Sequence, residues 1–361
     1  MNDILYYLWL SLVRGISAEA KLYLMEVFSD ARGVFEASEA DLIQVMESCD
    51  LFGRRSGCAR LLEKDLRRAE RCVERAKDLG AELIAVNSSA YPRRLKTISD
   101  PPIVLFAMGR TELLSSPCIS VVGTRRASPY GKWAAAEIAK RCAACGLTVV
   151  SGMAEGVDSV AHRGCLAVGG NTIAVFGTGV DVCFPLSNQK LYEEIAQKGL
   201  IISEYEFAEQ GRAYHFPERN RIISGLSDNC IIVEGTPRSG SLITAGLAAS
   251  QGRGVFAVPG NINQPGSEGP NLLISEGATP VISMDRLIET IGVRGMAEEL
   301  AERLSPEERQ LYEHIVSSGS SSRSYLISGC GLDPATASML ITTLELKGFL
   351  KVDGTRIYPM M

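Results

Sequence analysis

Imidazole is almost missing from this chain, which has three histidines in 361 residues. They stand at 162, 215 and 314, too far apart in sequence to suggest a metal centre built on them. A second CxxC is missing as well. Cys142 and Cys145 have no partner pair and no nearby histidine to complete a zinc site, so they read as reduced thiols on the apolar face of a helix. An excess of positive charge is also absent. The formal net charge is −5, which excludes a protein that coats nucleic acid by composition alone, and any polyanion site must be local. The opening MNDILYYLWLSLVRG lacks the basic start, long apolar run and cleavage site of a signal peptide, and is too short and polar for a membrane span. A cytoplasmic protein without membrane contact is expected.

Hydrophobic residues make up 46% of the chain, enough for one large core or two to three small ones. Three textures follow one another. Residues 1–78 repeat apolar positions at helical spacing, as in LYYLWLSLV and KLYLMEVF, and predict a small helical domain. Residues 79–294 alternate glycine-bounded β-rich runs with amphipathic helices. The runs are ELIAV, IVLFAMG, CISVVG, LTVVSG, TIAVFG, LIISEY, NCIIVEG, GVFAVPG and TPVIS. This alternation predicts an α/β fold with a doubly wound, mostly parallel sheet. Residues 299–361 read as helices followed by a hairpin turning at Asp353-Gly354, a winged helix, with Ser305 capping its first helix.

Glycines recur where the strands end, in VVG-TRR, VSG-MAEG, FGTG-VD, VEG-TPRSGS and VPG-NIN. That is the edge on which open α/β sheets bind ligands. In VVGTRRASPYG, Gly123 ends a strand and a helix starts near Pro129. The amides of Thr124 to Ala127 are expected to face an anion, with Arg125 and Arg126 adding guanidinium forks. Gly152 marks the next such edge. In HFPERNRIISGLS, Arg219 and Arg221 flank Asn220 and should share the edge with Arg125. The turn Arg238-Ser239-Gly240-Ser241 suits a further phosphate, although helix capping by Ser239 or Ser241 would use the same residues. Lys190 could extend the series, with a solvated helix lysine as the plainer reading, and Phe184 or Phe216 are the aromatics placed to stack bases, with core packing as their plainer role. Asp158 and His162 lie one turn apart. No nucleophile stands beside them, so a structural pair holding the loop is expected, with Asp158 capping the helix.

In this order, YPRRLKTISDPPIVLFAMG, VVGTRRASPYG, SGMAEGVDSVAHRG, HFPERNRIISGLS, RSGSLITAGLA and VFAVPGN resemble the DNA-processing protein A family, known as DprA or Smf, over residues 82–280. The resemblance implies an extended Rossmann-like domain that binds and protects single-stranded DNA. It also implies homodimers through that domain and loading of the RecA recombinase in DNA uptake, natural transformation and recombination. The flanking regions stand where family members carry accessory domains, the N-terminal one similar to a SAM or helix-hairpin-helix module. Whether those N-terminal helices touch DNA or a partner stays open at this level. By motif position, Arg125 corresponds to the family's phosphate-gripping arginine, with Thr124 where serine is usual. Arg219 and Arg221 correspond to its RNR segment, and Ser239, Gly240 and Ser241 to its SGS turn. No cofactor, metal or catalytic residue is implied.

Two rivals remain. Phosphoribohydrolases of the LOG type share a glycine-rich turn before a late helix, but Thr244 stands where their glutamate would be. A duplex-binding transcription factor would present cations from its winged helix, whereas PATASMLITTLELKG offers only Lys347.

Overall fold

Nine short runs become the nine strands of one sheet in the computed structural model, which describes residues 3–49, 55–291, 304–318, 321–322, 326, 333–347, 349–353 and 356–359. The strands are β1 (Glu82–Ala85), β2 (Val104–Gly109), β3 (Cys118–Val122), β4 (Thr148–Ser151), β5 (Thr172–Phe176), β6 (Leu200–Ser203), β7 (Asn229–Ile232), β8 (Gly254–Ala257) and β9 (Thr279–Pro280). Their order is β1-β2-β6-β5-β4-β3-β7-β8-β9. From β6 to β9 every neighbouring pair is parallel, while β1 and β2 join antiparallel at one side. Strands β3 to β7 are buried along their whole length, which is why they read as continuous apolar runs rather than alternating ones.

The chain moves from β3 through β4 and β5 to β6 in one direction, then returns to lay β7, β8 and β9 on the other side of β3. The switch point therefore lies between β3 and β7. In such sheets the loops diverging there open a crevice at the C-terminal strand ends.

Strand β5 shows how the faces divide, because side chains alternate across a sheet. Ala174 and Phe176 join one apolar cluster, and Ile173 and Val175 another. The first cluster contains helix residues from the N-terminal segment, namely Tyr6, Leu8 and Trp9 of α1 (Ile4–Leu12), Leu24 of α2 (Ala18–Val27), Val34 of α3 (Ala31–Glu36), Leu42 of α4 (Glu39–Glu47), Leu61 of α5 (Arg55–Leu62) and Cys72 of α6 (Arg67–Leu79). The helical segment thus shares its core with the sheet, and both belong to one compact unit, Met1–Met284. The second cluster is covered by Leu95 of α7 (Arg93–Lys96) and by later helices. The remaining helices of the unit are α8 (Pro129–Ala144), α9 (Val157–Ala167), α10 (Gln189–Lys198), α11 (His215–Leu226), α12 (Gly240–Ser250) and α13 (Pro265–Ser275). Cys142 is buried on α8, but Cys145 is exposed at its C-cap, so the two thiols do not share an apolar face as expected. Cys145 falls where the helix ends, while burial pushes the Cys142 thiol up to about 12.

The second unit, Asp285–Met361, contains helices Pro306–Ser318 and Pro334–Leu346 and a three-stranded sheet of Ser321–Ser322, Leu350–Asp353 and Arg356–Pro359. Its core includes Leu311, Ile315, Leu340, Leu344, Phe349 and Ile357. The Ser305 hydroxyl accepts from the Glu308 amide at 3.2 Å while the Ser305 amide donates to Glu308 at 2.7 Å, a reciprocal capping box. The expected turn residue Gly354, and all but Leu326 of the segment 323–332 where a middle helix is expected, lie outside the described residues. Among the described residues no helix is long and apolar enough to cross a membrane.

Candidate functional site

Gly123 follows β3 at the switch point. A Cβ there would stand 2.6 Å from Val157 and 2.9 Å from the Glu234 carbonyl oxygen, so only glycine lets the loops after β3 and β7 approach this closely. The Thr124 amide donates to that carbonyl at 2.7 Å. The buried Glu234 carboxylate accepts from the Ser128 amide at 2.9 Å and from the Ser128 hydroxyl. Ser128 in turn caps α8 by accepting from the Gly131 amide at 3.0 Å, and a Cβ on Gly131 would fall on the carboxylate. A carboxylate is therefore already seated at the positive end of α8. Two of the four amides expected to face a bound anion, those of Thr124 and Arg126, are engaged within the fold instead. Thr124 bonds Glu234, and the Arg126 amide bonds the Thr124 hydroxyl at 3.2 Å.

Above this plug Arg125 is exposed. Its guanidinium carbon lies 5.6 Å from the centre of the Phe216 ring, which packs at 5.2 Å on Phe184. Phe216 is half-buried and Phe184 is 43% exposed, so neither is an enclosed core residue. A cation and two rings are thus presented together at the C-terminal edge of the sheet, an arrangement suited to a phosphate with its base. Arg126, Arg238 and Lys190 are also exposed and carry no ion pair among the described residues.

The two arginines of α11 differ from Arg125. Arg219 is buried and donates to the carbonyl oxygens of Gly152, at 2.7 Å, and Val175, and at 3.2 Å to Asn220. Gly152 exists for this contact, since a Cβ there would stand 2.6 Å from the guanidinium. Burial lowers Arg219 to about 10, Asp158 opposes the fall, and Arg125 adds to it. Two neighbouring guanidinium charges repel, and an anion bound at Arg125 would relieve that repulsion. Arg221 bonds Glu204 at 2.7 and 2.8 Å and Asp100 at 2.8 Å. Burial opposes its charge, but those two carboxylates outweigh burial and raise its pKa. Instead of joining Arg125, it lines a cavity of about 500 Å³ together with Lys21, Asp100, Glu204 and Tyr205.

At the start of α12 the hydroxyls of Ser239 and Ser241 bond each other at 2.7 Å, and Ser239 makes no side-chain cap. The Asn220 amide reaches the Gly240 carbonyl at 3.3 Å, which ties this turn to α11. Gly240 is exposed.

Asp158 and His162 hold the loops, but separately. Asp158 does not cap α9. Its carboxylate accepts from the upstream amides of Gly152 at 3.2 Å and Ala154 at 3.4 Å. Burial raises it to about 6, against the pull of Arg219 and of the backbone amides. His162 Nδ1 meets the Thr172 hydroxyl at 2.7 Å. That hydroxyl donates to the Val149 carbonyl, so His162 donates from Nδ1 and leaves Nε2 without a partner. Burial, with Arg219 and Arg163 adding to it, lowers His162 to about 3, which keeps it neutral.

Glu234 is the residue that sequence reasoning missed. A carboxylate closing the apolar run NCIIV was the available signal.

Residues 82–292 match the family model of DNA recombination-mediator protein A. The chain is 40% identical over 221 residues to DNA processing protein DprA of Bacillus subtilis (strain 168), covering 61% of this chain and 74% of that protein. It is 42% identical over 210 residues to protein Smf of Escherichia coli (strain K12), covering 58% of this chain and 56% of that protein. Among solved structures it is similar to DNA processing protein A from Streptococcus pneumoniae, with a TM-score of 0.69 and 33% identity over 80% of this chain and 98% of that one. It is also similar to DNA processing protein A from Helicobacter pylori, solved for its single-stranded DNA binding mode, with a TM-score of 0.54 and 34% identity over 58% of this chain and 95% of that one.

Proposed function

The chain belongs to the DNA recombination-mediator protein A family, and from that premise we propose that it binds and protects single-stranded DNA along the C-terminal edge of its parallel sheet. The observation that carries this reading is Arg125 held over Phe216 beside the exposed Phe184, above a switch-point crevice closed by Glu234. A mononucleotide enzyme needs that crevice open for a pyrophosphate. A strand needs cations and rings spread along an edge.

Arg125, Arg126, Arg238 and Lys190 contact phosphates in this proposal, with the amides at the start of α12 and the Ser239–Gly240–Ser241 turn receiving another. Arg219, Asn220, Gly152, Gly123 and Thr124 position these loops from beneath. The chain is not an enzyme in this reading. The Thr244 hydroxyl turns back to the Gly240 carbonyl at 3.2 Å, at the position where a phosphoribohydrolase would carry its carboxylate. Family membership supports the further proposals of a cytoplasmic homodimer that loads RecA recombinase in transformation and recombination. In this proposal residues 79–294 are the DNA-binding domain, residues 1–78 a helical region whose core is continuous with it, and residues 299–361 the winged-helix domain. Lys347 is paired with Glu308 at 2.7 Å, and Met339 and Leu346 are exposed on the same helix, which favours a protein partner over duplex DNA for the winged helix.

Fluorescence anisotropy of labelled single-stranded and duplex oligonucleotides at two salt concentrations tests the central reading. The single strand should be preferred, and Arg125→Ala should weaken it about ten- to hundredfold, the range for removing a charge-assisted hydrogen bond. The salt slope should also fall by about 0.7 for each phosphate that is no longer neutralised. Equal duplex binding indifferent to Arg125 would refute the placement.

A further inference from the structure

α8 carries a second pair of rings that lies outside the core. Its core side consists of Ala134, Ala135, Ile138, Ala139 and Cys142, all buried. Tyr130 and Trp133 are instead 46% and 56% exposed, and they stack on each other with centroids 6.0 Å apart and planes 29° apart. The Tyr130 hydroxyl donates at 3.2 Å to the carbonyl of Pro259, in the loop that leaves β8, and so anchors the pair at the ligand edge. Lys132, two positions after Tyr130 and therefore on another face of the helix, is exposed without an ion pair among the described residues, and the segment from Tyr130 to Ala136 contains no carboxylate.

We propose that Tyr130 and Trp133 form a second base-stacking platform for single-stranded DNA, on the opposite side of Arg125 from Phe184 and Phe216. This rests on the single-strand reading above and extends it to a track with two aromatic stations. Phe184 follows β5, two strands to one side of β3. The Tyr130 anchor follows β8, two strands to the other. Two strand spacings amount to about 10 Å. Tyr130 lies five positions after Arg125, a reach of at most about 18 Å, so a strand held at Arg125 meets the platform within a few nucleotides. Arg125 and Arg126, with no carboxylate beside the rings, supply the charge complement of a polyanion. A second copy of the chain seated isologously on the same patch would instead bring these cations against their own counterparts.

The chain reports on this site directly, because its other tryptophan, Trp9, is only 5% exposed. Intrinsic tryptophan emission is titrated with oligodeoxythymidine of about six and about twenty nucleotides, lengths that bracket typical single-strand sites. The long strand should quench Trp133. Trp133→Ala should weaken the long strand about tenfold, leave the short one unchanged and keep the salt slope, while Trp133→Phe should retain most of the affinity. If the long strand binds the wild type and Trp133→Ala equally and leaves the emission unmoved, the platform is refuted while the single-strand reading stands. If neither strand binds the wild type, both fall. Emission that changes with protein concentration and not with DNA would assign the patch to a second copy and overturn the proposal.

Discussion

Two helices start beside each other at the switch point, α8 after β3 and α12 after β7, and they treat the same electrostatic opportunity in opposite ways. The start of α8 is closed. Ser128 caps it, and the Glu234 carboxylate takes the place an anionic ligand would have. The start of α12 has no side-chain cap, and its two serine hydroxyls bond each other, leaving the first amides to solvent or a ligand. A helix start is therefore a phosphate site only when nothing within the fold has neutralised it. Closing one start also forces the loop after β3 outward, where Arg125 stands over Phe216 rather than inside a nucleotide cradle.

Removing the plug tests this contrast most strongly. Glu234→Ala should lower the unfolding free energy by about 2–4 kcal/mol, because two donors of Ser128 lose an ionised partner. Inorganic phosphate should then raise the melting temperature of the variant and not of the wild type. A variant with unchanged stability would show that the carboxylate closes nothing. Gly152→Ala places a methyl group against Arg219, which holds the floor of the closed side. Denaturant unfolding should show a loss of about 1–3 kcal/mol, the usual cost of overpacking.

The pH dependence of stability distinguishes the two buried groups beneath the loops. Asp158, raised from 3.8 to about 6, contributes stability that is lost as pH rises through that window. His162, lowered from 6.5 to about 3, contributes stability that is gained as pH rises between those values. From 3.8 to about 6 the two slopes oppose each other and the wild type should be nearly flat. Asp158→Asn should expose the histidine slope, at most about 1.4 kcal/mol per pH unit, in melts across that range. A variant as flat as the wild type would mean that His162 is not buried neutral. The smallest effect belongs to the open side. Ser239→Ala combined with Ser241→Ala should change stability by less than about 1 kcal/mol and weaken single-strand binding only about two- to tenfold.

The nine strand runs, the glycine-ended loops and the cap at Ser305 were legible because each depends on residues close together in the chain. Arg125 was legible as an exposed cation for the same reason, being fixed by a turn and a helix start. The roles of Arg219 and Arg221 were not. They share a short motif with each other, yet one is covered by Gly152 and the other is held by Asp100, 121 positions away. Phe184 and Phe216 could be named as stacking candidates, but only the pairing of the loop after β5 with the start of α11 leaves them at the surface.

Local patterns of apolar spacing, glycine and capping residues thus settled the family, the α/β class and the loops that form the ligand edge, since those signals act over a few residues. Tertiary structure decided which cations stay exposed, which are buried or paired, and which helix start carries no side-chain cap. A carboxylate such as Glu234 chooses its partner only when β3 and β7 come together, and that meeting is a property of the sheet and not of either segment.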